Sequence, residues 1–243
     1  MSILPQPLQL SIGQLGRAFG CHVLSGSCLL CQADSHHDLL CPGCQNDLPL
    51  HHAPHCPICA DISPQAKTCP KCLAETPHFD QTIAVFRYEF PVDRIIKALK
   101  YGHQLAIAPW LGKTLANHQG LQNRDIDQII AMPLHPDRIK ERGFNQSIEI
   151  ARPLSHALQH PLLLDCLQRT RATQPQAELS LKERHSNVRG AFECTRNLTG
   201  QSILLVDDVM TTGSTLNECA RVLKLHGARH VMVAVAARAL HHD

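Results

Sequence analysis

Aromatic side chains are scarce in this sequence, which has 243 residues but only six Phe, two Tyr and one Trp. Proteins that hold single-stranded nucleic acid without sequence preference usually stack its bases on aromatic rings. Nine aromatic residues offer few platforms for contacts of that kind. The scarcity weighs against a single-strand binding surface that depends on base stacking.

Signals for export and for membrane insertion are also lacking. The longest apolar run, Val231 to Ala237, is far shorter than the roughly 20 residues that a membrane helix requires. No basic residue precedes Arg17, and prolines interrupt the first residues, so the chain has neither the charged start nor the apolar core of a signal peptide. We therefore expect a soluble, cytoplasmic protein with no membrane span.

A complete nucleotide-binding P-loop is absent as well. The segment LGKT, residues 111–114, would need a glycine at position 107, where Ile107 stands.

What the sequence does contain is 44% apolar residues, which suffice to fill the core of one full-sized domain and a small one.

Cysteine is concentrated in one part of the chain, where eight of the twelve lie between Cys28 and Cys72. They form four C-x-x-C pairs, and nine residues separate the two pairs of each half, so the spacing repeats. Repeated C-x-x-C turns in a reducing compartment favour zinc over disulfides or iron–sulfur clusters. We predict two structural zinc ions, bound by Cys28, Cys31, Cys41, Cys44, Cys56, Cys59, Cys69 and Cys72.

The spacing leaves the pairing of these cysteines open. Adjacent pairs that share an ion would give two sequential ribbons, whereas alternating pairs would give an interleaved cross-brace. Because eight cysteines suffice for two ions, we interpret His51, His52 and His55 as solvated loop residues rather than ligands. The cysteines without a partner at ligand spacing are interpreted as packing residues: Cys21, Cys166, Cys194 and Cys219.

Beyond the cysteine-rich segment, strands alternate with helices. The pattern predicts strands over residues 82–90, 128–133, 202–206 and 230–237, and helices over residues 91–102, 105–118, 144–158 and 214–226. Such alternation is typical of an α/β fold with a mainly parallel sheet flanked by helices. We place the domain boundary near residue 78, with a double zinc ribbon over residues 20–78 and the α/β domain over residues 79–243.

Charge divides the chain in the same way. Residues 1–78 carry three Lys and Arg against five Asp and Glu, whereas residues 79–243 carry twenty against sixteen. Residues 138–196 alone contain ten basic and six acidic side chains, which accounts for the whole basic surplus. A ligand that carries phosphate would explain this surplus, and a mildly basic solvated surface is the alternative.

One short stretch, ILLVDDVMTTGST from Ile203 to Thr215, joins a buried strand to two acids and a run of small residues. In an open parallel sheet, ligands bind beyond the carboxyl ends of the strands, where we expect Asp207 and Asp208. The hydroxyl and backbone N–H groups of the following turn lie at the start of a helix, which suits an anion. Acceptors for hydroxyl groups beside donors for a phosphate are what a ribose 5-phosphate requires.

The same thirteen residues resemble, position for position, the phosphoribosyl pyrophosphate signature of the type I phosphoribosyltransferases. The resemblance implies that Asp207 and Asp208 hold the ribose 2- and 3-hydroxyls at the catalytic centre. It implies that the following residues bind the 5-phosphate part of the substrate: Val209, Met210, Thr211, Thr212, Gly213, Ser214 and Thr215. A strand followed by helix-capping Thr and Ser would not by itself require two adjacent acids.

Three further blocks resemble the ComF family, a phosphoribosyltransferase-like group with an N-terminal double zinc ribbon: FRYEFPVDRIIKALKYG, MPLHPDRIKERGFNQS and TRATQPQAELSLKERHSNVRGAF. The resemblance spans nearly all of residues 20–238. It implies that pyrophosphate binds at the loop Pro133 to Arg142, with Arg138 and Arg142 as charge partners. It also implies that Arg169 to Arg189 forms a mobile loop that covers the site.

The family resemblance implies displacement at the anomeric carbon of phosphoribosyl pyrophosphate, with Mg²⁺ neutralising the departing pyrophosphate. No residue stands out as a general base for an acceptor, and members of the family are linked to natural competence and DNA uptake. Two functions therefore stay open: an enzyme that transfers phosphoribosyl to an unidentified acceptor, and a non-catalytic module that keeps the pocket and works on DNA. The expected partners are phosphoribosyl pyrophosphate and, for the second function, single-stranded DNA or competence proteins.

Overall fold

The computed structural model describes residues 26–36, 38–171 and 188–240. Cys21 and most of the predicted mobile loop, Arg169 to Arg189, lie outside the described residues. The chain divides into two compact units, Met1–Leu48 and Pro49–Asp243. Residues 49–78, which carry the second set of four cysteines, therefore fold with the α/β part of the chain.

No helix in the described ranges is long and apolar enough to cross a membrane.

A five-stranded parallel sheet forms the centre of the second unit. Its order is β1–β7–β6–β2–β3, with every neighbouring pair parallel. The strands are β1 (Gln81–Arg87), β2 (Gln128–Ala131), β3 (Leu162–Leu163), β6 (Ser202–Met210) and β7 (His230–Arg238). A separate antiparallel pair joins β4 (Leu167–Arg169) to β5 (Phe192–Cys194). The predicted parallel α/β architecture is confirmed.

All four predicted helices are present, and three helices that the pattern did not predict, one of them within the segment Pro133 to Arg142 that was expected to be a loop, bring the described helices to seven. They are α1 (Pro42–Asn46) in the first unit and, in the second, α2 (Pro70–Ala74), α3 (Val92–Gly102), α4 (Ile107–Ala116), α5 (Pro136–Arg142), α6 (Gln146–Leu158) and α7 (Ser214–Leu225). Short 3-10 turns occupy Pro64–Ala66 and Gln119–Leu121. Helix α3 buries Val92, Ile95, Ile96 and Leu99, the four residues spaced along one face of a 3.6-residue period.

A glycine allows α4 and α6 to approach closely. A Cβ at Gly112 would lie 2.5 Å from the backbone oxygen of Ile150 and 2.5 Å from Cγ of Pro153. A side chain at position 112 would therefore push α4 and α6 apart. The close approach matters for the site because the first turn of α6 carries one of its polar residues.

The observed end of β6 differs from the predicted one. The sequence pattern ends the strand at Val206, whereas the strand continues to Met210. Its neighbour β7 remains paired with it as far as Arg238, whereas β2 ends where Ala131 pairs with Val206. The last part of β6 therefore has a partner on one edge only. The polar residues that follow Val206 extend beyond the end of β2 although they are still in a strand.

Residues 49–51 run beside the outer edge of β1. Leu50 forms an antiparallel bridge with Phe86, the N–H of His51 donates to the carbonyl of Val85 at 2.9 Å, and the N–H of Arg87 donates to the carbonyl of Pro49 at 2.8 Å. An edge strand with free N–H and C=O groups would be an aggregation hazard, and this segment covers it.

His51 is 4% exposed, with Nε2 2.8 Å from the carbonyl oxygen of Ala60, so its interpretation as a solvated loop residue is wrong.

The eight paired cysteines form two groups of four that follow the order of the sequence. Within each group the ligand atoms all lie within 4.8 Å of one another. The first group consists of Cys28, Cys31, Cys41 and Cys44, and the second of Cys56, Cys59, Cys69 and Cys72. The structure therefore contains two sequential ribbons and not an interleaved cross-brace.

The two groups share local geometry but differ in burial. In each, a short helix with proline at its first turn begins directly after the third cysteine, at Pro42 and at Pro70. Cys31 is exposed in the first group, whereas all four cysteines of the second are buried. Burial raises the pKa of Cys59 to about 11, so a cation is needed to hold such a thiol as thiolate near neutral pH.

We expect purified protein to contain two zinc ions per chain, as four thiols gathered around one point suit tetrahedral zinc. Cys44→Ser and Cys72→Ser should each lower the zinc content from two to about one, because an incomplete site binds the metal weakly. Elemental analysis measures this directly. Cys219→Ser, which removes a buried cysteine outside both groups, is the matched control and should leave both ions in place. Iron in place of zinc, or no metal, would contradict the prediction.

Candidate functional site

Asp207 and Asp208 lie on the part of β6 that extends past the end of β2. Asp208 is 3% exposed and Asp207 is half-buried. Oδ1 of Asp207 accepts hydrogen bonds from the hydroxyl of Ser147 at 2.8 Å and from the N–H of Asp208 at 2.9 Å. The two acids are thus held in one place at the open carboxyl edge of the sheet, where parallel sheets bind ligands.

The first turn of α6 is fixed against this edge by a capping asparagine. Oδ1 of Asn145 accepts from the N–H groups of Ser147 at 2.9 Å and Ile148 at 3.4 Å, as an N-cap residue does. Its Nδ2 donates to the carbonyl of Met132, just past β2, at 3.0 Å. Asn145 therefore ties the start of α6 to the sheet and sets the position of the Ser147 hydroxyl.

A lysine from α3 neutralises the second acid. Nζ of Lys100 forms an ion pair with Oδ2 of Asp208. Burial of the ammonium group alone would lower the pKa of Lys100, but the Asp208 carboxylate outweighs that effect and the pKa is raised overall. Lys100 is therefore a permanent positive charge beside the acid pair.

Ionisation of the Asp207 side chain is unfavourable. Burial first, and then repulsion from the Asp208 carboxylate, raise its pKa to about 7, although Lys100 and the Ser147 hydroxyl oppose the shift. Asp207 therefore takes up a proton near neutral pH. A shift of this kind is common at functional sites.

The turn from Thr211 to Thr215, called here the anion loop, follows directly and leads into α7. Gly213 has φ of 80°, in the left-handed region, and a Cβ at this position would lie 2.6 Å from Cε of Met210. Oγ1 of Thr212 lies 2.8 Å from Oγ of Ser214 and accepts from the Ser214 N–H at 3.4 Å. The N–H groups of a first helical turn have no acceptor within the helix, so this loop can bind an anion.

Two cations contact the carbonyl groups of the loop. Nη1 of Arg238 donates to the carbonyls of Thr211 at 2.6 Å and Met210 at 3.2 Å, and Nζ of Lys71 donates to the carbonyl of Thr212 at 3.2 Å. Arg238 is 1% exposed and also donates through Nε to the carbonyl of Cys59 at 2.9 Å. The second cysteine group and the anion loop are therefore joined through both basic side chains.

The two arginines predicted to bind pyrophosphate occupy α5. Arg138 pairs with Glu141 at 2.7 Å and is largely exposed. Arg142 donates to Oε1 of Gln146 at 2.6 Å, and its guanidinium carbon lies 5.2 Å from the centre of the Tyr101 ring. Arg142 therefore contacts α3 and the first turn of α6, whereas Arg138 is turned towards Glu141.

A third arginine stands at the root of the predicted mobile loop. The guanidinium carbon of Arg169 lies 5.5 Å from the centre of the Phe192 ring, and Asp207 and Arg138 are among its electrostatic neighbours. Burial lowers its pKa. The end of β4 therefore brings a positive charge to the same edge of the sheet.

Sequence reasoning missed four residues that shape this site: Lys71, Lys100, Ser147 and Arg238. Lys100 and Ser147 lie near the ends of the blocks FRYEFPVDRIIKALKYG and MPLHPDRIKERGFNQS. A single sequence does not show which acid each side chain contacts. Arg238 offered one signal, because a basic residue ends the apolar strand HVMVAVAAR. A surface depression lies at the C-terminal end of α7. Its lining includes Arg196, Thr199 and His226, and it contains none of the predicted site residues.

We expect Asp207→Asn to raise the melting temperature at about pH 8 and to change it less at about pH 5. The folded-state pKa of about 7 exceeds the unfolded value of about 3.9. The protonated form thus stabilises the fold fully below the unfolded pKa, and the benefit is lost as the pH rises through 7. An asparagine carbonyl still accepts from Ser147 but does not ionise.

Thermal unfolding of wild type and variant in one buffer series measures this difference. Asp165→Asn, which alters an exposed carboxylate away from the acid pair, is the control and should show no such pH-dependent gain. Equal shifts of the melting temperature at both pH values would contradict the pKa assigned to Asp207.

Two family models match the chain. The one described as "Double zinc ribbon domain" matches residues 22–73, and the one described as "Phosphoribosyl transferase domain" matches residues 139–242. The first range contains both cysteine groups. The second contains Asp207, Asp208, the anion loop and Arg142 of α5.

Solved phosphoribosyl-binding proteins show a weaker likeness. A purine phosphoribosyltransferase from Pyrococcus horikoshii is 20% identical, with 65% of this chain and 77% of that chain covered at a TM-score of 0.33. The glutamine phosphoribosylpyrophosphate amidotransferase of B. subtilis is 25% identical, with 53% and 25% covered at a TM-score of 0.36. Scores this low carry no argument of their own.

Curated relatives match almost end to end. "Competence protein F" of Haemophilus influenzae is 32% identical over 227 residues, which cover 87% of this chain and 96% of the relative. "DNA utilization protein YhgH" of Escherichia coli K12 is 34% identical over 223 residues, covering 88% and 91%. "Competence protein ComFC" of Streptococcus pneumoniae is 25% identical over 194 residues, covering 79% and 84%. With both domains matched and such coverage, the chain belongs to the ComF family of competence and DNA utilization proteins.

Proposed function

We propose that the protein binds phosphoribosyl pyrophosphate together with Mg²⁺ at the open edge of its sheet and transfers the phosphoribosyl group to an acceptor. One observation carries the proposal: Asp207 and Asp208 stand directly before the anion loop on the same strand end. Two carboxylates repel a bare polyphosphate, so acids beside an anion loop suit a ligand that also brings hydroxyl groups, a metal ion, or both. A ribose with a 5-phosphate meets that description.

Separate groups of residues would bind separate parts of the ligand. In this proposal Asp207 and Asp208 accept hydrogen bonds from the ribose hydroxyls, and the N–H and hydroxyl groups of Thr211 to Thr215 bind the 5-phosphate. Arg142, with Arg138 beside it on α5, is positioned for the pyrophosphate. Arginine suits this role because its planar fork of donors matches phosphate oxygens.

The donor set also fits Mg²⁺, since carboxylate oxygens are hard ligands of the kind this ion prefers. When bound with the ligand, Mg²⁺ would supply positive charge to the pyrophosphate group as it leaves. The chain's own contribution is to orient the sugar and to hold positive charge on the pyrophosphate side. Lys100 supports this arrangement because it offsets the charge of Asp208 when no ligand is present.

The acceptor of the phosphoribosyl group is not specified by these residues. We propose a cytoplasmic enzyme of the phosphoribosyltransferase class in which Asp207 and Asp208 are the catalytic acids. Arg169, at the root of the predicted mobile loop, adds positive charge on the side from which an acceptor would approach.

The test is calorimetric titration of phosphoribosyl pyrophosphate in the presence of Mg²⁺. The double substitution Asp207→Ala, Asp208→Ala should weaken binding by at least about tenfold, because each charge-assisted hydrogen bond contributes roughly 1.5–3 kcal/mol. The pairing of β6 with β7 should preserve the fold, but loss of Asp208 leaves Lys100 without its counter-ion, so circular dichroism of the double variant must show the wild-type spectrum. Asp165→Ala is the control and should bind as wild type does. Equal affinity of wild type and double variant, or no binding by wild type, would refute the proposal.

A second candidate function is sequence-independent binding of single-stranded DNA. The names of two relatives, "DNA utilization protein YhgH" and "Competence protein F", favour it. The basic residues of segment 138–196 would then contact phosphates. Anisotropy titrations should show affinity that falls steeply with salt, and Lys140→Gln should reduce the salt slope by about one. Lys113→Gln, an exposed lysine outside the segment, is the control. No binding at low salt would leave the phosphoribosyl function alone.

A further inference from the structure

We propose that the second cysteine group sets the shape of the anion loop through Lys71 and Arg238, so that metal occupancy of this group controls affinity for the 5-phosphate of the ligand. The inference rests on the proposed function, because it assumes that the anion loop binds a phosphate. It assigns Lys71 and Arg238 as positioning residues that act on the backbone of the loop, and it couples a structural metal site to ligand binding.

The contacts fall on three consecutive carbonyl groups. Met210 and Thr211 accept hydrogen bonds from Nη1 of Arg238, and Thr212 accepts one from Nζ of Lys71. The carbonyl of Met210 also accepts from the N–H of Ala239 at 2.9 Å. Every peptide carbonyl between the end of β6 and Gly213 therefore has a donor, and two of the three depend on one buried guanidinium group.

Holding these carbonyls also holds the N–H groups of the loop. A trans peptide is planar, with its N–H pointing opposite to its C=O. When the carbonyls of Met210, Thr211 and Thr212 face the cations, the N–H groups of Thr211, Thr212 and Gly213 are held on the other side of their peptides. Successive N–H groups held in this way form an anion-binding concavity. A cation on each carbonyl further polarises the peptide and strengthens its N–H as a donor.

Both cations are anchored in the cysteine group. Lys71 lies between Cys69 and Cys72 on α2, a helix of only five residues. Arg238 donates through Nε to the carbonyl of Cys59 and pairs through Nη2 with Asp61 at 3.2 Å. Nη1 of Arg238 also donates to the carbonyl of Ala239. A displacement of the cysteine group would therefore move Lys71 and remove two contacts that hold the side chain of Arg238.

The cysteine group needs a cation to keep this position. Its four sulfur atoms lie within 4.8 Å of one another and are buried, so all four can be thiolates only when a cation offsets their mutual repulsion. The residues present fit zinc, as four thiols are the usual ligands of a closed structural site. Loss of the metal is expected to release α2 and with it Lys71, because such sites fold only when occupied.

The first cysteine group offers a matched control within the same chain. Cys41, Pro42 and Cys44 correspond to Cys69, Pro70 and Cys72, but Gly43 stands where the second group has Lys71. The first group belongs to the other compact unit. Removal of one of its ligands should cost a zinc ion without affecting the anion loop.

The decisive experiment compares Cys72→Ser with Cys44→Ser in the full-length protein. Each variant should lose about one zinc ion. Binding of ribose 5-phosphate should weaken at least about tenfold in Cys72→Ser and stay at the wild-type value in Cys44→Ser. Mg-pyrophosphate, which lacks a 5-phosphate and is expected at α5, should bind both variants as it binds wild type. Equal weakening of both ligands, or equal behaviour of the two variants, would overturn the coupling.

Lys71 provides a second test that leaves all eight cysteines intact. Lys71→Met should weaken ribose 5-phosphate binding by roughly tenfold, the loss expected for one charge-assisted hydrogen bond, at unchanged zinc content. Lys71→Arg should restore binding because a guanidinium group can donate to the same carbonyl. Lys67→Met, which removes an exposed lysine from the same segment, is the control.

The outcomes also separate this inference from the proposed function. Wild type that binds neither phosphoribosyl pyrophosphate nor ribose 5-phosphate overturns both. Wild type that binds them while Lys71→Met binds equally well overturns the positioning role alone. Weakened binding in Lys71→Met, with Mg-pyrophosphate unaffected and zinc retained, supports the inference even if Cys72→Ser proves too unstable to purify.

Discussion

The pairing of β6 with β7 beyond the end of β2 is the constraint on which the site depends. The register sets Asp207 opposite Val235 and Met210 opposite Arg238, so one ladder of backbone hydrogen bonds fixes both the acids and the arginine behind the anion loop. A register slip of one residue would turn each side chain to the other face of the sheet. The apolar residues of β7, buried along the whole strand, specify the register strongly.

The charged side chains at this edge form two ion pairs, Lys100 with Asp208 and Arg238 with Asp61. Lys100 neutralises Asp208, and Arg238 contacts Asp61 and the carbonyls of Met210 and Thr211. Removing one member of a buried pair leaves an uncompensated charge, which costs more than the pair contributes. A ligand that brings hydroxyl groups and a divalent cation to the acids can take over part of the role of Lys100. Asp207, which ionises only near neutral pH, gains most from such a ligand.

The sequence predicted the α/β fold, the parallel sheet and the eight cysteines, although not how they group, because each has a signal that is local along the chain. Apolar periodicity located α3, and the C-x-x-C spacing located all eight cysteines. The end of β6 was misjudged because apolar character stops at Val206 whereas pairing with β7 does not. Lys71 and Arg238 were missed for the same reason. They act on Thr212 and Thr211 across 141 and 27 residues of chain, and nothing near either residue reveals such a contact.

The repeated cysteine spacing suggests two equivalent modules, but the residues between the cysteines make them different. The second group has Lys71 and Asp61 where the first has Gly43 and Ala33. Those are the two side chains that connect the second group to the anion loop, directly or through Arg238. Both groups can meet the needs of zinc equally well, since four thiols are present in each. The metal-binding part of the repeat is therefore shared, and only the second copy carries the residues that link a metal site to the loop.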